Sequence, residues 1–256
     1  MDVSGKVAVV TGGASGIGQA VVKAIAAKGG KVVIFDLNEA AGQALARELG
    51  AGALFARVNV ADESSVQAGV AAAVAAFGAI HICVNCAGIA TGAKTVGKDG
   101  PFPLEVWNKT IGINLTGSFN VTRLCAEQMA KNAPIGGDES RGVVINTASV
   151  AAFEGQMGQA AYSASKGGIV GMTLPIARDL ASLGIRVNAI APGLINTPMG
   201  AGLPPQVVDS LAKSVLYPKR FGRPEEIAHV AICLIENDYI NGETIRVDGG
   251  IRMQPR

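Results

Sequence analysis

The sequence is short of the residues that several functions depend on. It holds two histidines, four cysteines and one tryptophan in 256 residues. Cys83 and Cys86 make a single C-x-x-C spacing with no second pair, and His81 and His229 stand far from any ligand-like spacing, so no metal site is expected. The pair falls in A-I-H-I-C-V-N-C-A, which reads as a strand, where positions i and i+3 point to opposite faces. The cysteines are therefore expected as buried, reduced thiols in a reducing compartment. Charged residues make up only 16% of the chain, the net charge is +2, and Lys and Arg form no run. That argues against a dedicated nucleic-acid surface. No stretch approaches the ~18 to 20 apolar residues of a membrane span. With the first strand beginning by Lys6, no cleavable leader is expected. A cytoplasmic location is expected, with a mitochondrial matrix as the alternative.

Small and apolar residues are what the chain has in plenty: 49% is hydrophobic and 34 residues are glycine. That content suits an ample core with tight turns and close backbone approaches. Residues 6–10 (K-V-A-V-V) read as a strand buried on both faces, and T-G-G-A-S-G-I-G leads from it into a helical run. Further strands are expected at 31–35, 53–59 and 80–85, with helices at 39–49 and 63–77 and one long helix over 104–131. After the strand before Ser149 come strands at 185–190 and 243–247 and a helix over 224–235. This alternation predicts an α/β fold, a single Rossmann-type doubly wound domain over residues 1–256 with a seven-stranded parallel sheet. Residues 191–220 are expected to form a substrate-side loop, since Pro- and Gly-rich loops of this kind often act as lids.

The turn after the first strand carries Gly12, Gly16 and Gly18, a spacing that differs from G-x-G-x-x-G. Its strand–turn–helix context still suits a pyrophosphate at a helix N-terminus. Asp36 ends the second strand 18 residues after Gly18, where an acidic side chain accepts from the ribose 2′-hydroxyl of NAD and repels a 2′-phosphate. Asn59 and Val60, ending the third strand, can bracket an adenine. The N-C-A-G-I run at 85–89 would let a cofactor lie against the backbone, and A-P-G-L-I-N-T-P-M follows the sixth strand.

The chemistry is expected in the stretch from Ser149 to Lys166. Tyr162 and Lys166 stand four residues apart in a helical run, so phenol and ammonium share one face. A free tyrosine titrates near ~10, and acid/base work near neutral pH needs a drop of roughly 2 to 3 units, which a nearby cation can supply. Ser149 ends an apolar strand, at the edge where open α/β sheets bind ligands. A Y-x-x-x-K pair alone is weak; its agreement with the other features is what counts. Asn114 sits inside the long helix, where asparagine is mildly unfavourable, and either satisfies the core or organises water near the site.

Taken together, T-G-G-A-S-G-I-G, N-C-A-G, Asn114, Ser149, Y-S-A-S-K and A-P-G resemble the short-chain dehydrogenase/reductase family over essentially the whole chain. The long block from I-N-T-A-S to R-D-L-A and the run N-G-E-T-I-R-V-D-G-G-I-R-M-Q-P look closer still to its type-2 3-hydroxyacyl-CoA dehydrogenase subgroup, which also acts on hydroxysteroids. The polar loops at 91–103 and 132–141 look like that subgroup's insertions and are expected to flank the crevice. The resemblance implies a homotetramer that binds NAD and an acyl-CoA or steroid. It assigns Ser149 to hold the substrate oxygen, Tyr162 to exchange its proton, Lys166 to lower the tyrosine pKa and bind the nicotinamide ribose, and Asn114 to support a water relay. Gly12, Ser15, Gly16, Ile17, Gly18, Asp36, Asn59, Val60, Asn85, Cys86, Ala87, Gly88, Pro192, Gly193, Ile195 and Thr197 would line the cofactor, and Gln156 the substrate. Asn59 departs from the family's usual aspartate. Two other readings stand beside this one. An NADPH-dependent 3-oxoacyl carrier-protein reductase is disfavoured by Asp36 and Ser15, and a secondary role in RNA processing by the low charge.

Overall fold

In a computed structural model, which describes residues 1–200 and 205–255, the apolar runs form strands and the intervening segments form helices. In chain order, β1 (Val7–Thr11), α1 (Gly16–Ala27), β2 (Lys31–Asp36), α2 (Glu39–Leu49), β3 (Ala53–Arg57), α3 (Glu63–Phe77) and β4 (Ile82–Asn85) build the first half. A small hairpin of β5 (Val96–Gly97) and β6 (Gly100–Pro101) follows, then α4 (Leu104–Ile111) and α5 (Gly117–Met129). The second half holds β7 (Gly142–Thr147), α6 (Ala160–Ala181), β8 (Ile185–Pro192), α7 (Pro205–Ser214), α8 (Pro224–Glu236) and β9 (Thr244–Val247). The main sheet has seven parallel strands in the order β3-β2-β1-β4-β7-β8-β9, with the crossover between β3 and β4 as its switch point.

Alternation within the apolar runs serves both faces of this sheet. Ala8, Val10, Val32, Ile34, Ile82, Val143 and Ile145 point into a core shared with α1 and α8. Their neighbours Val7, Val9, Val33, Phe35, Cys83 and Val144 point into a second core against α3 and α5. Each fully buried Val or Ile contributes roughly 1.5 to 3 kcal/mol, so the two faces together carry most of the folding drive. Helix starts are set locally. The Asn38 side chain accepts from Ala41 N ahead of α2, Asp62 accepts from Ser65 N ahead of α3, and Pro224 opens α8.

Four expectations need correction. The long helix over 104–131 is interrupted by a π turn at Gly112–Thr116, which contains Asn114. The substrate-side loop holds a helix, α7, and its residues 201–204 lie outside the described residues. Cys83 and Cys125 are buried, but Cys233 is exposed on α8. The loop at 132–141 does not flank the crevice. Asn132 donates to Ile80 O and Arg141 O, and Arg141 N donates to Gly184 O, all at the starts of strands. A helix-to-strand connection of a parallel sheet has to lie at that edge, opposite the strand ends that bind ligands.

His81 sits at the same lower edge, where its Nδ1 accepts from Val7 N at 3.3 Å. Burial, helped by the Lys6 charge, holds its pKa below the ordinary 6.5. The unfolded chain takes up this proton below about pH 6.5 and the folded chain resists it, so the contribution to stability is complete above that pH and is lost as pH falls. His81→Gln supplies a non-titrating acceptor in place of Nδ1. Its melting temperature should therefore fall less than that of the parent between pH 7.5 and 5.5. Parallel curves for the two proteins would show that His81 is not a source of the acid sensitivity.

Candidate active site

The first strand leads into a turn with little room for anything but glycine. Gly12 has φ +60°, and a Cβ there would stand 2.9 Å from the backbone of Ala87. A Cβ on Gly18 would overlap the carbonyl oxygen of Gly12, so the first turn of α1 packs directly on the loop before it. Thr11 Oγ1 accepts from Cys86 N at 3.1 Å and Ala87 N at 3.0 Å, tying this turn to the end of β4. Next to it, Asp36 is fixed through both oxygens, which accept from Ala14 N at 3.0 Å and Asn38 N at 2.9 Å.

These strand ends line a cavity of about 660 Å³ at the switch point. Gly12, Ser15, Gly16, Ile17, Gly18, Asp36, Asn59, Val60, Cys86, Ala87 and Gly88 line it together with Ser149, Gln156, Tyr162, Lys166, Pro192, Gly193, Ile195 and Thr197. Two of the expected residues are not on that wall. Asn85 points into the core, where its Nδ2 donates to Thr122 Oγ1 at 3.0 Å and Asn146 Oδ1 at 2.9 Å, so it ties β4 to α5 and β7. Asn114 is fully buried behind the cavity. Its Oδ1 accepts from Ile89 N at 2.8 Å while Nδ2 donates to Ile89 O at 2.9 Å and Ser165 Oγ at 3.1 Å. It therefore clamps the chain beside Gly88 onto α6, and the π turn is what aims it there.

Lys166 is buried and donates from Nζ to Thr147 O at 2.6 Å, at the end of β7. Its Nζ lies 5.8 Å from the centroid of the Tyr162 ring. Burial pulls the lysine down to about 8, so its ammonium persists at neutral pH and is lost above that. Burial also pushes the Tyr162 phenol up, with the Ser149 hydroxyl acting the other way. The expected net lowering of the phenol by Lys166 is thus not found: burial outweighs the Ser149 hydroxyl, which is the group that lowers it. Ser149 itself is held by its own backbone, its Oγ accepting from Ala151 N at 3.1 Å.

Some of the wall escaped the sequence reading. Leu194, Met199, Leu211, Phe221 and Met253 line the same cavity. Leu211, Phe221 and Met253 stand 49 to 91 positions beyond Tyr162; Leu211 falls in the expected substrate-side loop and Met253 in the N-G-E-T-I-R-V-D-G-G-I-R-M-Q-P run, but no feature of either singles out these side chains. The Gln156 side chain, assigned to substrate, donates from Nε2 to Gln254 O at 2.9 Å.

Residues 12–252 match the family described as Enoyl-(Acyl carrier protein) reductase, a short-chain dehydrogenase group. The chain belongs to the short-chain dehydrogenase/reductase family. It is 53% identical over 255 residues to the human 3-hydroxyacyl-CoA dehydrogenase type-2, covering 99% of this chain and 97% of that one. The Drosophila melanogaster protein of the same name is 51% identical over 251 residues, covering 97% and 98%. At 38% identity, over 98% of this chain and 99% of the other, stands a Thermotoga maritima 3-oxoacyl-[acyl-carrier-protein] reductase. A crystal structure of 3-hydroxyacyl-CoA dehydrogenase type-2 from Mycobacterium avium superposes with a TM-score of 0.93 at 42% identity, covering 98% of each chain. This short-chain dehydrogenase/reductase is therefore an oxidoreductase of a family that works with nicotinamide dinucleotides. Among its described residues, no helix is long and apolar enough to cross a membrane.

The closeness of the glycine turn is directly testable. Gly18→Ala forces its methyl into Gly12 O and should destabilise the fold by about 1 to 3 kcal/mol, read as a lowered melting temperature. A variant that melts with the parent would show that the turn has slack.

Proposed function

We propose that the protein is an NAD-dependent dehydrogenase that interconverts a 3-hydroxyacyl-CoA and its 3-oxoacyl-CoA, with hydroxysteroids as further substrates. The reading is carried by one observation: Ser149, Tyr162 and Lys166 share the wall of a single cavity with the glycine turn and Asp36. The wall fits a dinucleotide. Gly12 and Gly18 leave backbone exposed at the start of α1, where a pyrophosphate is favoured, and Asp36 presents an anchored carboxylate for a ribose hydroxyl. Asn59, Val60, Ile195 and Thr197 would hold the rest. When bound, NAD accepts the hydride from the substrate carbon and NADH returns it.

The chain's own residues handle the oxygen and its proton. Ser149 Oγ holds the substrate oxygen, oriented by Ala151 N. Tyr162 takes the hydroxyl proton during oxidation and gives it back during reduction, which contributes typically ~10² to 10⁴-fold. Lys166, tied to Thr147 O, stands where it can stabilise the phenolate and hold a ribose hydroxyl. Asn114 fixes Ile89 and α6 around it. Support for the acyl-CoA comes from the named relatives and from a second, open depression of about 640 Å³ that shares Ala151, Gln156 and Gln159 with the cavity and has Lys94 on its rim. Lys98 and Lys109 are exposed nearby in the chain. We also propose a homotetramer in the cytoplasm.

Cofactor choice tests the nucleotide end. A 2′-phosphate beside Asp36 meets like charge in a partly desolvated wall, several kcal/mol, so kcat/KM should favour NADH over NADPH by at least ~100-fold. Comparable rates would remove the NAD assignment, and Asp36→Ala should narrow the ratio mainly by weakening NAD. Tyr162→Phe should cost at least ~10²-fold in kcat with NADH affinity near that of the parent. Because burial raises the phenol, the oxidation rate should climb into the alkaline range while reduction holds up at neutral pH. Near-normal turnover of Tyr162→Phe would mean that another group carries the proton.

The substrate end is tested with thioesters. Acetoacetyl-CoA should be reduced with a kcat/KM well above that of a truncated thioester of the same acyl group, since remote binding energy can raise kcat as well as lower KM. Added salt should shrink the gap if lysines meet the phosphates. Equal efficiency would remove CoA recognition, and a steroid preferred over both would move the assignment to hydroxysteroids.

A further inference from the structure

After β9 the chain turns back over the substrate end of the cavity instead of leaving the sheet. Gly249 and Gly250, with φ +61° and +78°, make the reversal, and Asp248 Oδ1 closes it by accepting from Gly250 N at 2.9 Å. The segment that follows lies along the loop between Ser149 and α6. Met157 N donates to Pro255 O at 3.0 Å, and Gln156 Nε2 donates to Gln254 O. Next to these two ties stands Met253, half-buried against the cluster of Val150, Val215 and Ile251 and lining the cavity that holds Ser149 and Tyr162.

A single carboxylate joins the two segments. Glu154, five residues after Ser149, receives Arg246 of β9 at 2.8 and 3.1 Å, Arg252 at 3.4 Å and the backbone N of Met253 itself at 3.4 Å. Arg246 also donates to Asp248 Oδ2 at 2.8 Å and to Ile251 O at 3.1 Å, and its guanidinium lies 5.3 Å from the centroid of the Phe153 ring. Glu154 and Arg246 are about three-quarters buried, each with 23% of its side chain exposed. Such a pair is screened less than a surface pair, and the bidentate fork fixes direction as well as distance. None of these groups reaches the reacting oxygen, so the chemistry leaves the cluster without a role.

We propose that Met253 is a specificity-determining wall of the substrate site, and that Glu154 is the positioning residue that holds it there through Arg246, Arg252 and the Met253 backbone. The wall is apolar and lines the same cavity as Ser149 and Tyr162, which suits an alkyl portion of the substrate of limited length. The proposal rests on the dehydrogenase reading for its substrate but not for its geometry.

The test is a length series of 3-oxoacyl-CoA thioesters, run with NADH alongside a matching series of methyl ketones. Met253→Ala should shift the ratio of kcat/KM for long over short chains upward by about tenfold, the scale of one or two methylenes in an apolar pocket. Glu154→Gln keeps the shape but loses the charge; it should move the ratio in the same direction and raise hydrogen exchange at residues 251–255. Unchanged length ratios in Met253→Ala, in whichever series the parent turns over, would overturn the wall. An unchanged ratio and unchanged exchange in Glu154→Gln would overturn its positioning part. A parent that reduces the ketones but not the thioesters would count against the acyl-CoA reading alone, since the ketone ratios still report on Met253. With neither series turned over, exchange at 251–255 in Glu154→Gln still decides the positioning role.

Discussion

A parallel sheet packed by helices on both faces has no place for an unpaired polar side chain except at the ends of its strands. Here β1, β4 and β7, and β2 after its exposed Lys31, are apolar up to their ends, and polar groups appear as each strand finishes: Thr11, Asp36, Asn85, Asn146. Everything that binds or reacts follows from that constraint. Thr11 joins the first turn to the end of β4, Asp36 pins the glycine loop, and Asn85 bonds to Asn146 across neighbouring strand ends. The site is a row of such ends, held in register by the ladder hydrogen bonds beneath it.

That constraint also explains which parts could be read from sequence. The strands were legible because a run such as V-A-V-V has one meaning when it is buried on both sides, and the seven expected strands are found within one or two residues of their places. The glycine turn, Asp36, Ser149 and the Tyr162–Lys166 pair were legible because each stands at a strand end or one helical turn from its partner. Pairs related only through space were not. The loop at 132–141 has a composition like that of the loop at 91–103, yet it lies at the other edge, since composition does not say which edge a connection joins. Asn85 matched a motif, but whether its side chain turns towards the cavity or the core depends on the strand's exact end. The π turn that aims Asn114 at Ile89 leaves no mark in the helical pattern.

Burial sets the electrostatics of the site more than pairing does. The same apolar surroundings push the Tyr162 phenol up and pull Lys166 down to about 8, so burial favours the neutral form of both groups and draws their proton affinities apart from the near-match they have in water. At neutral pH the phenol is therefore neutral. Under the proposed roles, a substrate oxygen on Ser149 and a ribose hydroxyl on Lys166 are the groups that would change those surroundings.

The two halves of the cavity are built with different stiffness. The nucleotide half rests on strand ends, a turn in which Gly12 and Gly18 touch backbone directly, and the Asn114 clamp. The substrate half is assembled from loops, chiefly the loop after Ser149 and the stretch after β9, joined by single backbone bonds such as Met157 N to Pro255 O rather than by a ladder. The group of Glu154, Arg246, Asp248 and Arg252 adds charged hydrogen bonds to that joint. Within one family the cofactor end can then stay constant, because changing it disturbs the sheet. The substrate end can change by altering a few residues around one carboxylate. On the proposed roles, specificity is separable from chemistry because the residues that shape the wall are not those that would hold the oxygen.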